Sequence, residues 1–372
     1  MRVLISGGGT GGHANPAIAI ANYIREKDKN VQIAFAGTEK GIENILVPKE
    51  GYKLYHLKVK GFKRKFSLQN IDALIKAVTS QITAKKIIKE YRPDVVIGTG
   101  GFVSYPVLAV AAKLKIPTVI QELNAIPGVT TKMLAKNVDK IMINFEDSRK
   151  YFGDNEKPKL IYTGTPVKSD FFNVNHREAK SELSPNRPMI MSYAGSMGAE
   201  GINEVIMDFM EKYSKNKNVN HYHATGTRDF KESEKVFNQK KLNTYKNLFL
   251  SEYFFGIAKY MAAADIVICR AGASTLAELS VIKKAAILIP SPYVAENHQY
   301  NNAIVLERDN AAIVIEEKDL TADLLIEKVD ELLNDPFEIT KMSQNISHFA
   351  TPDTLEKMYK IIMNVKNGDT GV

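Results

Sequence analysis

Short apolar runs, most ending near glycine, Asn or Glu and followed by a helix-period stretch, set the limits on what this chain can become. Val3-Leu4-Ile5, Gln32-Ile33-Ala34-Phe35-Ala36, Val95-Val96-Ile97, Thr118-Val119-Ile120 and Ile141-Met142-Ile143 form a first series. Near-continuous apolar strands are buried on both faces, which is the signature of a parallel sheet covered by helices. A polar, proline-bearing segment from Asn173 to Pro188 interrupts the rhythm. It restarts with Met189 to Tyr193, His221 to Ala224, Leu248 to Leu250, Ile266 to Ile268 and Ala286 to Ile289. Two successive series predict two doubly wound α/β domains, and 372 residues accommodate two of ordinary size. A TIM barrel is the competing α/β fold. A strand with a glycine loop opens both halves, at Gly7 and at Gly195, with a linker between, which favours two domains. Near the end, Leu355, Met358, Tyr359, Ile361 and Ile362 give the stretch from Thr354 to Val365 an amphipathic helical pattern.

Composition narrows the function. Apolar residues at 44% and charged residues at 25% exclude a disordered or fibrous chain. The single cysteine, Cys269, excludes a disulfide framework and a cysteine-rich zinc site, and suits a reducing compartment. No run approaches the ~18 apolar residues of a membrane span. The first residues run straight into a strand, so no signal peptide is expected. Lys and Arg outnumber Asp and Glu by 50 to 42, which favours an anionic partner. The cations are spread along the chain and no RRM, KH or helix-turn-helix signature is present, so that partner is not expected to be nucleic acid.

Three glycine loops carry the chemistry. Ser6-Gly7-Gly8-Gly9-Thr10-Gly11-Gly12-His13 lies between the first strand and a helix, where backbone N–H groups and a helix N-terminus suit a phosphate or diphosphate. Gly7, Gly9 and Gly12 satisfy the dinucleotide-binding spacing, yet the second strand ends at Gly37-Thr38-Glu39 with no strong ribose acid, and the P-loop Lys-Ser/Thr pair is missing. His13 at the end of this loop reads either as a general base or diphosphate ligand, or as a cap on the following helix. Ala194-Gly195-Ser196-Met197-Gly198-Ala199 repeats the arrangement, as does Arg270-Ala271-Gly272-Ala273-Ser274-Thr275-Leu276-Ala277-Glu278. In the last, the Ser274 and Thr275 hydroxyls can meet phosphate oxygens, and Glu278, one turn inside the helix, lies about where a carboxylate can accept from two ribose hydroxyls. N-capping and a favourable helix dipole account equally for one such loop, but less well for three.

These motifs, with Gly98-Thr99-Gly100-Gly101-Phe102-Val103 and Asn297-His298-Gln299-Tyr300-Asn301-Asn302-Ala303, resemble the MurG family over roughly residues 1 to 345. Members add N-acetylglucosamine to undecaprenyl-diphospho-N-acetylmuramoyl-pentapeptide in peptidoglycan synthesis. The resemblance implies a GT-B fold, two Rossmann-like doubly wound parallel-sheet domains facing a cleft. Residues 1–166 would form the acceptor and membrane-facing domain, joined by a C-terminal helix at 346–372, and 167–345 the UDP-sugar domain. Thr10, Gly11, Gly12 and Asn124 fall where the family holds sugar and diphosphate. Ser196 and Lys168 would meet the donor phosphates, and Phe254 would read uracil through its backbone. Ala273, Ser274, Thr275, Leu276, Ala277 and Glu278 match the donor loop, while His298 and Gln299 lie near the sugar hydroxyls. Gly100, Gly101 and Phe102 would serve the acceptor. With no Asp-x-Asp in the sequence, backbone N–H groups, helix ends and Lys168 would carry the leaving-group charge without a metal or other cofactor. His13 is the first candidate for the base of an inverting transfer and Glu122 the second.

Departures from the family pattern are Gln121 and Leu123 within Gln-Glu-Leu-Asn, Tyr105, Ala194, Lys168 in place of arginine, Phe254 in place of isoleucine, and Lys283-Lys284-Ala285 in place of Gly-Lys-Pro. They leave room for three rivals: an altered-acceptor transferase, a UDP-N-acetylglucosamine 2-epimerase-like enzyme, or a non-catalytic scaffold for cell-wall elongation and division proteins. The run Lys58 to Phe66 holds five cations and two phenylalanines, and Ile71, Leu74, Ile75 and Val78 follow at helix spacing. Alone this reads as a solvated loop before a core helix. A lipid-linked acceptor favours contact with anionic lipid at the cytoplasmic face of the membrane.

Overall fold

A computed structural model describes residues 1–59, 69–195 and 197–369; for 69–78, 216 and 295 it describes the backbone alone. Most of the basic run from Lys58 to Phe66, the side chains of Ile71, Leu74, Ile75 and Val78, and Ser196 lie outside the described residues.

The chain divides into two compact units, Met1–Pro166 with Asp353–Val372, and Val167–Pro352. Residues 346–352 therefore belong to the second unit. The first unit's described strands are β1 (Arg2–Gly7), β2 (Gln32–Thr38), β3 (Lys53–Leu57), β4 (Val95–Gly100), β5 (Thr118–Glu122), β6 (Lys140–Ile143) and β7 (Leu160–Tyr162). They form one parallel sheet in the order 3-2-1-4-5-6-7. The second unit's are β8 (Met189–Tyr193), β9 (Asn220–Ala224), β10 (Leu248–Ser251), β11 (Ile266–Cys269), β12 (Ala285–Leu288) and β13 (Ile313–Val314), parallel in the order 10-9-8-11-12-13. Both orders are those of doubly wound sheets, and a barrel is ruled out because each sheet has two edges.

Helix cover on both faces explains the uninterrupted apolar strands. Val3 and Ile5 of β1 pack with Ala17, Ile20 and Ile24 of the helix Gly11–Lys27, while Leu4 packs on the opposite face with Val107 and Leu108. In the second unit Ile190, Ile266, Ile268 and Ile287 meet Ile206, Phe209 and Met210 of the helix Glu200–Lys212. The amphipathic tail forms the helix Thr354–Lys366, whose Met358, Ile362 and Val365 are buried in the first unit's core. Thr354 Oγ1 donates to the Thr163 carbonyl at 2.8 Å, and Glu356 accepts from Tyr23 and pairs with Lys27.

Reversal of strand order matters for function. In each sheet the chain leaves one central strand in one direction and its neighbour in the other, so a crevice opens outside their carboxyl ends. Those pairs are β1 with β4, and β8 with β11. All four are followed directly by the glycine-bearing segments singled out from sequence.

Candidate active site

In the first unit, the loops after β1 and β4 are built into each other. A Cβ on Gly7 would lie 1.9 Å from Thr99 Oγ1, and one on Gly100 would lie 2.6 Å from His13 Nδ1. Gly100 and Gly101 also hold φ of +99° and +79°, which side chains rarely adopt. These glycines thus let the two loops touch, and the contact is reciprocal. Thr99 Oγ1 donates to the His13 carbonyl at 2.8 Å, and His13 Nδ1 lies 2.9 Å from the Thr99 carbonyl. A carbonyl only accepts, so Nδ1 carries the proton and Nε2 is the basic nitrogen. His13 stands in the first turn of its helix, and its Nδ1 faces the end of β4. Thr10 is the extended N-cap, which leaves the N–H groups of Gly11 and Gly12 outside the helical ladder.

Glu43 braces this loop from beneath. It is fully buried, and its carboxylate accepts from Gly9 N–H at 2.9 Å, Thr38 N–H at 2.8 Å and Thr38 Oγ1 at 2.6 Å. Burial pushes its pKa up. The hydrogen bonds from Thr38 and Gly9 outweigh that and hold the carboxyl below the usual value. A lowered carboxylate stabilises the fold above its unfolded pKa, and that contribution disappears as pH falls through the folded value. Glu43→Ala should therefore cost about 2–3 kcal/mol at neutral pH, and the gap from wild type in thermal melts should close as the pH is lowered toward 3. Equal melting temperatures at pH 7 would remove Glu43 from this role.

Beside Gly9 lies a cavity of about 340 Å³ lined by Thr38, Lys40, Leu57, Lys58 and Phe102, among others. Phe102 keeps 42% of its surface exposed at the rim. On the other side of the sheet centre, β5 ends at Glu122, which is buried. Its carboxylate accepts from Asn124 N–H (3.0 Å) and Nδ2 (3.1 Å), from Gly128 N–H (3.0 Å), and from the Thr131 side chain. Burial raises its pKa, and these bonds oppose the rise without cancelling it. Glu122 thus fixes the turn that presents Asn124. Its neighbour Gln121 is 1% exposed, and neither amide atom has a hydrogen-bond partner among the described residues.

In the second unit, Gly195 and Gly198 turn the chain after β8 with φ of +97° and +88°. After β11, Gly272 is the extended N-cap of the helix Ala273–Ile282. Leu276 N–H closes the first helical bond, to Gly272 O at 3.0 Å, so the N–H groups of Ala273, Ser274 and Thr275 remain for an anion. The Leu276 side chain itself is buried. One turn on, Ala277 and Glu278 are half-buried. Loss of solvent lifts the Glu278 carboxyl to about 7, against the opposing pull of Lys168. Lys168 is exposed and precedes the short helix Ser169–Asn173.

Phe254 is buried. Its ring stacks on Tyr260 with centroids 4.4 Å apart, so only its backbone is available to a base. His298 and Gln299 open the helix His298–Arg308 after Glu296 and Asn297, both in the left-handed region. Gln299 Oε1 accepts from Ser291 N–H at 2.9 Å. Lys283, where the resemblance expects glycine, has φ of +56° as the left-handed C-cap of the donor-loop helix. Sequence reasoning missed Glu43, Thr99 as the partner of His13, and the buried ion pair of Arg270 with Glu317 at 2.5 Å. The acid five residues after the strand end at Thr38 was the one available signal for Glu43.

Two doubly wound units, each offering glycine turns and helix N-termini at its strand reversal, have the architecture of the GT-B class. Residues 3–143 match the glycosyltransferase family 28 N-terminal domain and residues 189–358 match that family's C-terminal domain. The chain belongs to glycosyltransferase family 28. It is 42% identical, over the whole of both chains, to the UDP-N-acetylglucosamine–N-acetylmuramyl-(pentapeptide) pyrophosphoryl-undecaprenol N-acetylglucosamine transferase of Acetivibrio thermocellus. Among solved structures it is similar to MurG of Acinetobacter baumannii, with a TM-score of 0.77 and 23% identity covering 98% of this chain and 99% of that one. It also shares its fold with UDP-GlcNAc 2-epimerase of Neisseria meningitidis, with a TM-score of 0.65 and 14% identity covering 98% of this chain and 100% of that one.

Proposed function

We propose that this protein is an inverting transferase that moves N-acetylglucosamine from UDP-N-acetylglucosamine to undecaprenyl-diphospho-N-acetylmuramoyl-pentapeptide, converting lipid I to lipid II. The observation that carries this reading is the end-to-end likeness to a transferase named for that reaction. The first unit takes the lipid-linked acceptor and the second takes the UDP-sugar. The free N–H groups at Ala273 to Thr275, with the helix dipole and Lys168, receive the negative charge that grows on the departing diphosphate. Glu278 accepts from the ribose hydroxyls, and the Phe254 backbone reads the uracil.

The acceptor hydroxyl attacks the anomeric carbon as the bond to UDP breaks, and its proton passes to His13 Nε2. Hydrogen bonding of Nδ1 to Thr99 supports this, because it leaves the basic nitrogen as the one to receive the proton. We assign Glu122 the positioning of the Asn124 turn in place of the proton transfer, because its oxygens are engaged within that turn. No helix among the described residues is long and apolar enough to cross a membrane. Association with the cytoplasmic leaflet through basic and apolar surface fits a polyprenyl-anchored substrate.

A coupled assay of UDP release, with UDP-N-acetylglucosamine and a short-chain lipid-linked muramoyl-pentapeptide, tests the reading. Release that requires both substrates is expected. Donor interconversion without an acceptor would mean an epimerase, and UDP binding without transfer would mean a scaffold.

A further inference from the structure

His221 and His223 on β9 are fully buried beside Ser192 of β8. Ser192 Oγ lies 2.8 Å from His221 Nε2 and 2.8 Å from His223 Nδ1. Ser214 Oγ lies 3.0 Å from His221 Nδ1, and Asn203 Oδ1 lies 3.1 Å from His223 Nε2. Burial drives both imidazoles toward the neutral form, His223 to about 4, so each ring carries one proton.

The direction of every bond in this chain can be worked out. Asn203 Nδ2 faces two acceptors, the Thr225 carbonyl at 3.0 Å and Asp229 Oδ2 at 3.3 Å, so its oxygen faces His223. That oxygen accepts, which puts the His223 proton on Nε2. The other tautomer would aim Nδ1–H at the Ser192 carbonyl, 3.2 Å away, but it would set two lone pairs against each other at Asn203. His223 Nδ1 therefore accepts from the Ser192 hydroxyl. Ser192, its one proton used, accepts from His221 Nε2–H, and His221 Nδ1 accepts from Ser214. The donors run one way, from Ser214 to the Asp229 carboxylate, which Arg228 Nε also contacts at 2.7 Å.

The far end of this chain touches the glycine turn after β8. A Cβ on Gly198 would lie 2.2 Å from the Thr225 carbonyl and 2.7 Å from Asp229 Oδ2, and one on Gly226 would lie 2.1 Å from Gly198 N. The atoms that Asn203 holds are the ones against which Gly198 rests. We propose that Asn203 and Asp229, oriented by the buried serine–histidine chain, are positioning residues that hold Gly198, after β8, in the form that receives the donor's diphosphate. The proposal rests on the reading of the second unit as the UDP-sugar site.

Binding of UDP and of uridine to the full chain, by titration and by competition up to millimolar uridine, separates a phosphate-positioning role from a structural one. Asp229→Ala should weaken UDP about tenfold, the loss of one charge-assisted bond, with uridine affinity within about twofold of wild type. Asp229→Asn, which keeps an acceptor for Asn203, should restore most of the UDP affinity. Asn203→Leu should act like Asp229→Ala; if it fails to fold, the two Asp229 variants decide. A UDP-to-uridine affinity ratio unchanged in Asp229→Ala, or equal weakening of both ligands, overturns the proposal. A wild-type chain that binds neither ligand overturns instead the functional reading beneath it.

Discussion

Replacing His13 by alanine should lower turnover by about 10²- to 10⁴-fold, the range for losing a positioned general base, while UDP affinity stays within about twofold. The expectation follows from the tautomer. With Nδ1–H bound to the Thr99 carbonyl, the ring presents Nε2 as a base, while Thr99 Oγ1 anchors the backbone of the same residue through the His13 carbonyl. The groups proposed above to grip UDP, the Ala273 to Thr275 N–H groups, Glu278 and the Phe254 backbone, lie in the other unit, so truncation at His13 removes none of them. Steady-state kinetics with both substrates, together with calorimetry of UDP, would check this. Unchanged turnover would strip His13 of any catalytic part. A fall in UDP affinity equal to the fall in rate would make it a binding residue.

Glu278→Gln should weaken UDP-N-acetylglucosamine binding at pH 8 by about 1–3 kcal/mol, the range for hydrogen bonds to a charged group, and should flatten its pH dependence. Burial raises the Glu278 carboxyl to about 7, with Lys168 opposing. Two ribose hydroxyls donate best to an ionised carboxylate, so the wild-type protein should lose up to about tenfold in affinity for each unit below pH 7. A sugar-linked diphosphate keeps its charge across this range, so the titration belongs to the protein. The same shift affects folding with the opposite sign. A raised carboxyl binds its proton more tightly in the folded state, so stability is greatest below the unfolded pKa of about 4.5 and declines as pH rises toward 7. Wild type and Glu278→Gln with parallel affinity profiles from pH 5.5 to 8 would take Glu278 away from the ribose.

Much of this molecule is legible along the chain. The ten apolar runs all became strands, because a strand covered on both faces must be apolar at nearly every position. The strands that went unread were β3, β7 and β13. β3, Lys53–Leu57, mixes polar and apolar residues on both of its faces at a sheet edge, while β7 and β13 have three and two residues. Edge strands pair on one side only, so their composition carries a weaker signal. The amphipathic tail was equally clear from its spacing, but that it completes the first unit's core depends on which surface has room for Met358, Ile362 and Val365.

The glycine loops show where sequence stops. Three glycine-bearing loops after strands favour an anion site over mere helix capping, because glycine lets N–H groups approach one ligand closely. They could not choose between a catalytic His13 and a helix cap, since both begin from a histidine in a first turn. Thr99, 86 residues away, supplies the carbonyl that fixes the tautomer, which no spacing along the chain announces. Nor could sequence separate the two acids that follow strand ends. Glu122 and Glu278 both read as functional carboxylates, yet the turn from Asn124 to Gly128 folds back to engage one, while a desolvated helix face beside Lys168 leaves the other with a pKa of about 7. Pattern fixes which residues must be buried and where the backbone must bend. Hydrogen-bond direction and protonation depend on partners that only the folded chain brings within about 3 Å.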